Sequence, residues 1–155
     1  MFKGGLIDWS DNRVIQYHTT THILHQALRD VLGDRVAQKG SNITPERLRF
    51  DFTYQDGLSD EQISQVEKIV NDKILLGLKV DCVEMPINEA LSSGALAFFN
   101  EKYGSRVTVY SIGNYSKELC GGPHVSNTSE IKGIFKITKE QSIGKGIRRI
   151  RAVLK

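Results

Sequence analysis

Arg47-Leu48-Arg49-Phe50-Asp51-Phe52-Thr53-Tyr54 alternates polar and apolar residues, the period-two pattern of a half-buried strand. Leu48, Phe50, Phe52 and Tyr54 form its inward set. Upstream, Ile23, Leu24, Ala27, Leu28 and Val31 recur at helical spacing between His18 and Leu32, and Gly33 is a stop signal, so that stretch is an amphipathic helix. Val36 to Asn42, with Gly40 and Ser41, is expected to be a short connection. Downstream, Ser59-Asp60-Glu61-Gln62 resembles a capping box, and Ile63, Val66, Ile69, Val70 and Ile74 supply the apolar stripe of a second helix ending near Gly77. Lys79 to Met85 then suggests a strand, Pro86 to Ser92 a short helix, and Ala95 to Asn100 a helical turn before Gly104. Arg106 to Ile112, Ile134 to Thr138 and Ile147 to Leu154 are strand-like, and Lys117 to Cys120 leads into a Gly-Gly-Pro turn. Because strands and helices do not alternate regularly, the expected fold class is α+β, a mostly antiparallel sheet packed by helices.

The 155 residues, 39% hydrophobic and 25% charged, argue for one compact domain spanning residues 1–155 and against a multidomain enzyme. Lys+Arg 21 against Asp+Glu 18 gives +3, a bias too small to name a partner. Cys82 and Cys120 are too few and too far apart for a stapled secreted scaffold, and the N-terminus lacks the apolar core of a signal peptide. The apolar runs Ile74 to Leu78 and Ala95 to Phe99 are far shorter than the ~20 residues of a membrane-spanning helix. A soluble, cytoplasmic protein with free thiols is expected, Cys82 lying in the core.

His18 and His22, four apart on the first helix, share a face with Cβ atoms ~5–6 Å apart, a chelating distance for one metal ion. They could equally be an ordinary pair of helix-surface histidines. His25 follows by three and is expected to pack beneath or bond a neighbour rather than ligate. Cys120-Gly121-Gly122-Pro123-His124 carries a thiol and an imidazole across a tight turn that lets them converge. Three imidazoles and one thiolate suit Zn²⁺ better than Ca²⁺ or Mg²⁺, which prefer oxygen ligands.

The run His18-Thr19-Thr20-Thr21-His22-Ile23-Leu24-His25-Gln26-Ala27-Leu28, followed by Gln38-Lys39-Gly40-Ser41, Leu48-Arg49-Phe50-Asp51-Phe52, Glu118-Leu119-Cys120-Gly121-Gly122-Pro123-His124-Val125 and Gly146-Ile147-Arg148-Arg149-Ile150, closely resembles the editing domain of bacterial alanyl-tRNA synthetases. The resemblance extends from about Phe2 to Leu154. The HxxxH and CxxxH elements are shared with free-standing AlaX-type deacylases and the editing domain of threonyl-tRNA synthetases, while the other elements point to the alanyl branch. Pro123 stands where the alanyl form commonly has Thr, and Gly144-Lys145 where small residues are usual.

The resemblance implies hydrolysis of the ester joining serine or glycine to alanine tRNA, at a catalytic zinc site of His18, His22, Cys120 and His124. The chain would be either a free-standing protein or a fragment of the synthetase without its aminoacylation core. Catalytic zinc usually keeps one position open, so four protein ligands leave an alternative, a structural zinc in a module that only binds the tRNA acceptor end. A zinc hydrolase for another small ester or amide is a third reading. Thr21 and Gln38 are the candidates for holding the serine hydroxyl, each also explicable by ordinary backbone bonding or solvation. Lys39, Lys145, Arg148, Arg149 and Arg151 are candidate tRNA phosphate contacts. Arg148 and Arg149 alternate on their strand, so at most one faces the site.

Overall fold

The structure, a computed structural model, describes residues 2–3, 7–97 and 102–155. The alternating stretch forms β3 (Arg47–Thr53). Its neighbours are β2 (Gln38–Thr44) on one side and β8 (Ile147–Leu154) on the other, with β7 (Phe135–Gly144) outside β8 and β1 (Phe2–Lys3) outside β2. All these pairs are antiparallel except β1 with β2. Phe50 lies opposite Ile150 and Leu48 opposite Ala152, all four fully buried in one apolar layer.

Two helices cover that layer. α1 (Asn12–Leu32) begins ahead of His18 because Asp11 caps it, its carboxylate accepting from the Arg13 backbone N–H at 2.8 Å. The polar first turn concealed this start from apolar spacing. Val14, Tyr17, Ile23, Leu24, Ala27 and Leu28 enter the core. α2 (Asp60–Leu75) begins at the expected capping box, where Ser59 Oγ accepts from Gln62 N at 3.1 Å and the Gln62 side chain accepts from Ser59 N at 2.9 Å. Its Val66, Val70 and Ile74 complete the core.

The structure corrects four local expectations. Val36 to Asn42 is not a connection: from Gln38 onward it is β2, paired on both edges, with a bulge between Gln38 and Gly40. Its Gly and Ser content concealed a strand whose order comes from neighbours remote in sequence. β7 continues past Thr138 through Lys139-Glu140-Gln141-Ser142, a polar run without inward alternation that pairing to β8 holds extended. Ala95 to Ala97 is not helical either. Leu96 N donates to Lys117 O and Leu96 O accepts from Leu119 N, making a bridge to Glu118; the remainder of that expected turn, from 98 onward, lies outside the described residues.

The fourth correction concerns layering and Cys82. The remaining strands, β4 (Val80–Pro86), β5 (Arg106–Ile112) and β6 (Ser116–Leu119), form a separate antiparallel sheet with β5 in the middle. With α3 (Ile87–Ser92) it encloses a small core of Ala90, Ala95, Val107, Val109 and Leu119. β4 is an edge strand, and there Cys82 is exposed rather than buried. β6 contacts α1. The chain leaving β6 therefore passes directly over the α1 histidines, and Val125 then anchors it in the large core.

Candidate metal centre and its cavity

His18 and His22 project from α1 toward the segment that follows β6, which carries Cys120 and His124. One donor atom from each of the four lies within 4.8 Å of all the others. Cys120 Sγ is 3.2 Å from His18 Nε2. The His18 and His124 rings stack at 4.0 Å between centroids, and His22 meets His124 edge-on at 4.4 Å. Both pairs read from the sequence thus converge on one point. His25 does not join them: its Nδ1 lies 3.0 Å from Glu118 Oε1 in a buried pair, as expected for a residue packing beneath the site.

The hydrogen bonds around these rings decide which nitrogens remain as donors to a metal. His18 Nδ1 is 2.7 Å from the Pro123 carbonyl. A carbonyl only accepts, so the proton sits on Nδ1 and Nε2 keeps its lone pair. His124 Nδ1 is 2.9 Å from Thr19 Oγ1, which also accepts from Val125 N at 3.1 Å and donates to Ile15 O at 3.4 Å. This arrangement leaves His124 Nε2 buried with no hydrogen-bond partner among the described residues, as is His22 Nδ1. Buried polar atoms are rarely left unpaired without a reason. Imidazole nitrogens without partners beside a thiol are a donor set that fits a metal ion, and three imidazoles with one thiolate fit zinc.

Electrostatics prepare the imidazoles for such a role. Burial holds the His22 imidazole down to about 3 and that of His124 to about 2, the neighbouring imidazoles adding to the effect. Burial lowers His18 as well. All three are neutral at pH 7 and have no proton to lose before ligation. Cys120 is the opposite case: burial pushes its thiol up to about 11, against the pull of the Gly121 and Gly122 backbone N–H groups.

Gly122 has a steric requirement. A Cβ built on it would lie 2.7 Å from His18 Cε1 and 3.3 Å from Trp9, whereas one on Gly121 would meet nothing within 4 Å. A side chain at Gly122 would force the His18 ring to shift, because that ring lies against its backbone.

Beside three of the four donors, His18, His22 and Cys120, is a cavity of about 150 Å³, lined also by Thr21, Gln38, Ser41, Glu118 and Leu119. Thr21 and Gln38 are therefore at the cavity, although Thr21 Oγ1 donates to Tyr17 O at 2.9 Å and the Gln38 amide donates to Ser41 Oγ at 3.2 Å. Ser41, Glu118 and Thr19 were not singled out by their sequence pattern. Glu118 had one available signal, its place two residues before Cys120 on a strand, which turns both side chains to the same face. Burial pushes the Glu118 carboxyl up, but the imidazoles of His22, His25 and His18 outweigh it and hold the group below its usual range.

None of the five basic candidates, Arg151 included, lines this cavity. Lys39 is half-buried on β2 and Lys145 is exposed in the turn between β7 and β8. Arg148 ion-pairs with Glu140, and Arg149 forms a two-pronged pair with Asp51 at 2.8 and 3.1 Å.

Fold and site together define an α+β domain with a three-histidine, one-cysteine cluster able to hold a metal beside a small cavity. Residues 107–151 match the family model described as the threonyl and alanyl tRNA synthetase second additional domain. The chain is 56% identical over 154 residues to the alanine–tRNA ligase of Treponema pallidum, covering 99% of this chain and 25% of that protein. It is 54% identical over 154 residues to that of Borreliella burgdorferi, covering 99% and 26%, and 52% identical over 152 residues to that of Latilactobacillus sakei, covering 98% and 16%. The chain is an alanyl-tRNA synthetase-related domain. It spans about a quarter of the length of the Treponema pallidum and Borreliella burgdorferi relatives. Among the described residues no helix is long and apolar enough to cross a membrane.

Proposed function

We propose that this domain hydrolyses the ester between a wrong amino acid, serine or glycine, and alanine tRNA, working in the cytoplasm as a proofreading deacylase. The observation that carries the reading is that three of the four clustered donors, His18, His22 and Cys120, line the 150 Å³ cavity. That volume suits a small aminoacyl group. Zinc held by His18, His22, Cys120 and His124 would supply Lewis-acid polarisation of the ester carbonyl.

The other roles belong to the cavity wall. The Thr21 hydroxyl, already donating to Tyr17 O, retains acceptor capacity for a serine hydroxyl, and the Gln38 amide and Ser41 hydroxyl offer further partners. A wall that bonds a substrate hydroxyl can reject the analogue lacking it by ~10⁴–10⁵, which would spare correctly charged alanine. Glu118, an anion held in place by His25, suits the α-ammonium group of the aminoacyl ester. Removal of glycine does not follow from the hydroxyl argument and rests on the relation to alanyl-tRNA synthetases.

A second reading has its own support, since four protein donors are the usual complement of a closed structural zinc. In that case the domain binds the acceptor end without hydrolysis. Incubating purified protein with seryl- and alanyl-tRNA of the alanine acceptor, with and without Cys120→Ala, separates the two. Loss of the seryl ester alone, abolished by the substitution, supports the deacylase. Equal survival of both esters with tRNA still bound overturns it in favour of the binding module.

A further inference from the structure

The small net charge of the chain conceals a one-sided distribution. In the register of the large sheet, Arg49 lies opposite Arg151 and Asp51 opposite Arg149, while Lys139 lies opposite Arg151 and Lys136 opposite Val153. These positions alternate with Phe50, Ile150 and Ala152, so their side chains stand on the face turned away from α1 and α2. With Arg47, that outer face of β3, β8 and β7 carries six of the 21 cations but, in Asp51, one of the 18 acids.

Like charges directly opposite one another on paired strands are destabilising, so this arrangement acts against the fold. Burial, with the fields of Arg149 and Arg151, depresses both Arg47 and Arg49 below the ordinary guanidinium value. Part of the cluster is nevertheless held rigid. Asp51, fully buried, pairs with Arg149 at 2.8 Å and Arg49 at 3.4 Å, and Arg47 donates to the Asn42 carbonyl and side chain at 3.1 and 2.9 Å. No acid pairs with Arg47, Arg151, Lys136 or Lys139 among the described residues. The two lysines are exposed.

We infer that this outer sheet face docks the phosphate backbone of the tRNA acceptor arm, away from the metal cleft. The inference rests on the reading that the domain acts on tRNA. A polyanion is favoured over a protein because β3, β8 and β7 place apolar side chains on this face only toward the ends, at Ile147 and Val153. Protein interfaces have an apolar centre, whereas phosphate oxygens need only charge and N–H donors. Planar guanidinium groups, preset by Asp51 and Asn42, meet that need with little further loss of freedom.

The test measures binding of uncharged alanine-acceptor tRNA by fluorescence anisotropy between 50 and 200 mM salt (about the span over which phosphate contacts lose most affinity), for the parent chain and for the Lys136→Gln, Lys139→Gln, Arg151→Gln triple variant. Each phosphate contact removed should lower the slope of log affinity against log salt by about 0.7–0.9. The triple variant should therefore lose about two units of slope or more, and at least about tenfold in affinity. A Lys136→Gln, Lys139→Gln double variant, altered only at exposed positions, should lose about two-thirds as much slope and guards against misfolding of the triple.

Hydrolysis of a seryl ester of adenosine, which lacks the acceptor arm, should be unchanged in the variants. If that ester is never hydrolysed while tRNA affinity still falls, the deacylase reading fails and the docking face stands. Unchanged tRNA affinity and slope overturn the docking face, as does a variant that loses binding to polyglutamate while keeping tRNA.

Discussion

The two halves of the donor cluster are built on opposite terms. His22 is buried in α1, and His18 is held by the same helix, whose residues are packed into the large core. Cys120 and His124 sit on a half-buried turn, positioned by Thr19, by contact with His18 and by the anchorage of Val125. The helix half is rigid because the fold needs that helix. The turn half is in place only through a few specific contacts, so metal affinity should respond to small changes in the turn that leave the fold alone.

The sharpest way to break this contrast is to remove one ligand from each half. His22→Ala and Cys120→Ala should each lower zinc affinity by more than about 100-fold, since even supporting residues are worth 10–100-fold. Only His22→Ala should also lower the melting temperature of the metal-free chain; equal losses of stability in the two variants would erase the distinction. Metal content and thermal unfolding of the chelated protein measure both effects.

Gly122→Ala comes next. Its Cβ would strike His18, so zinc affinity should fall about 10–100-fold, as for the loss of a ligand's support, while Gly121→Ala should bind normally. A normal Gly122→Ala variant would mean that the His18 ring shifts without loss of ligation. Thr19→Val keeps the shape but removes the hydroxyl that holds His124 Nδ1 and Val125 N. An affinity loss of about tenfold is expected, with Thr20→Val, whose hydroxyl bonds only Gln16 O among the described contacts, as the neutral comparison.

The smallest effects concern protons, and there too the halves differ. At pH 7 zinc uptake should release about one proton, from Cys120, because the imidazoles carry none. Calorimetry in buffers of different ionisation enthalpy reads this number, and a release near zero would mean that the thiol does not ligate. The pH dependence of the metal-free chain follows from His22 and His124, at about 3 and about 2 when folded against ~6.5 when unfolded. Between those values the unfolded state binds more protons, so stability rises with pH and is lost as pH falls below ~6.5, at roughly 1 kcal/mol per pH unit for each imidazole. Cys120, raised to about 11, costs stability in the other direction, as pH climbs above ~9. Urea unfolding at pH 7.5 and 5 should show the acid loss; a flat response would mean that these imidazoles are solvated.

The sequence by itself determined the helices, the central strand and the donor set. These are local properties: i, i+4 spacing brings His18 and His22 onto one face, a Gly-Gly-Pro turn folds Cys120 back toward His124, and alternation turns Phe50 and Phe52 inward wherever the strand is placed. Only the tertiary structure decided that Gln38 to Thr44 is a strand, that β4, β5 and β6 form a sheet of their own, and that Thr19, Ser41 and Glu118 join the site. It also decided which partners Arg148 and Arg149 meet on the opposite faces that strand alternation gives them, Glu140 for one and an arginine cluster around Asp51 for the other. Strand partners and register come from contacts between residues far apart in sequence. No periodicity within a segment specifies which neighbour will satisfy its backbone or share its charge.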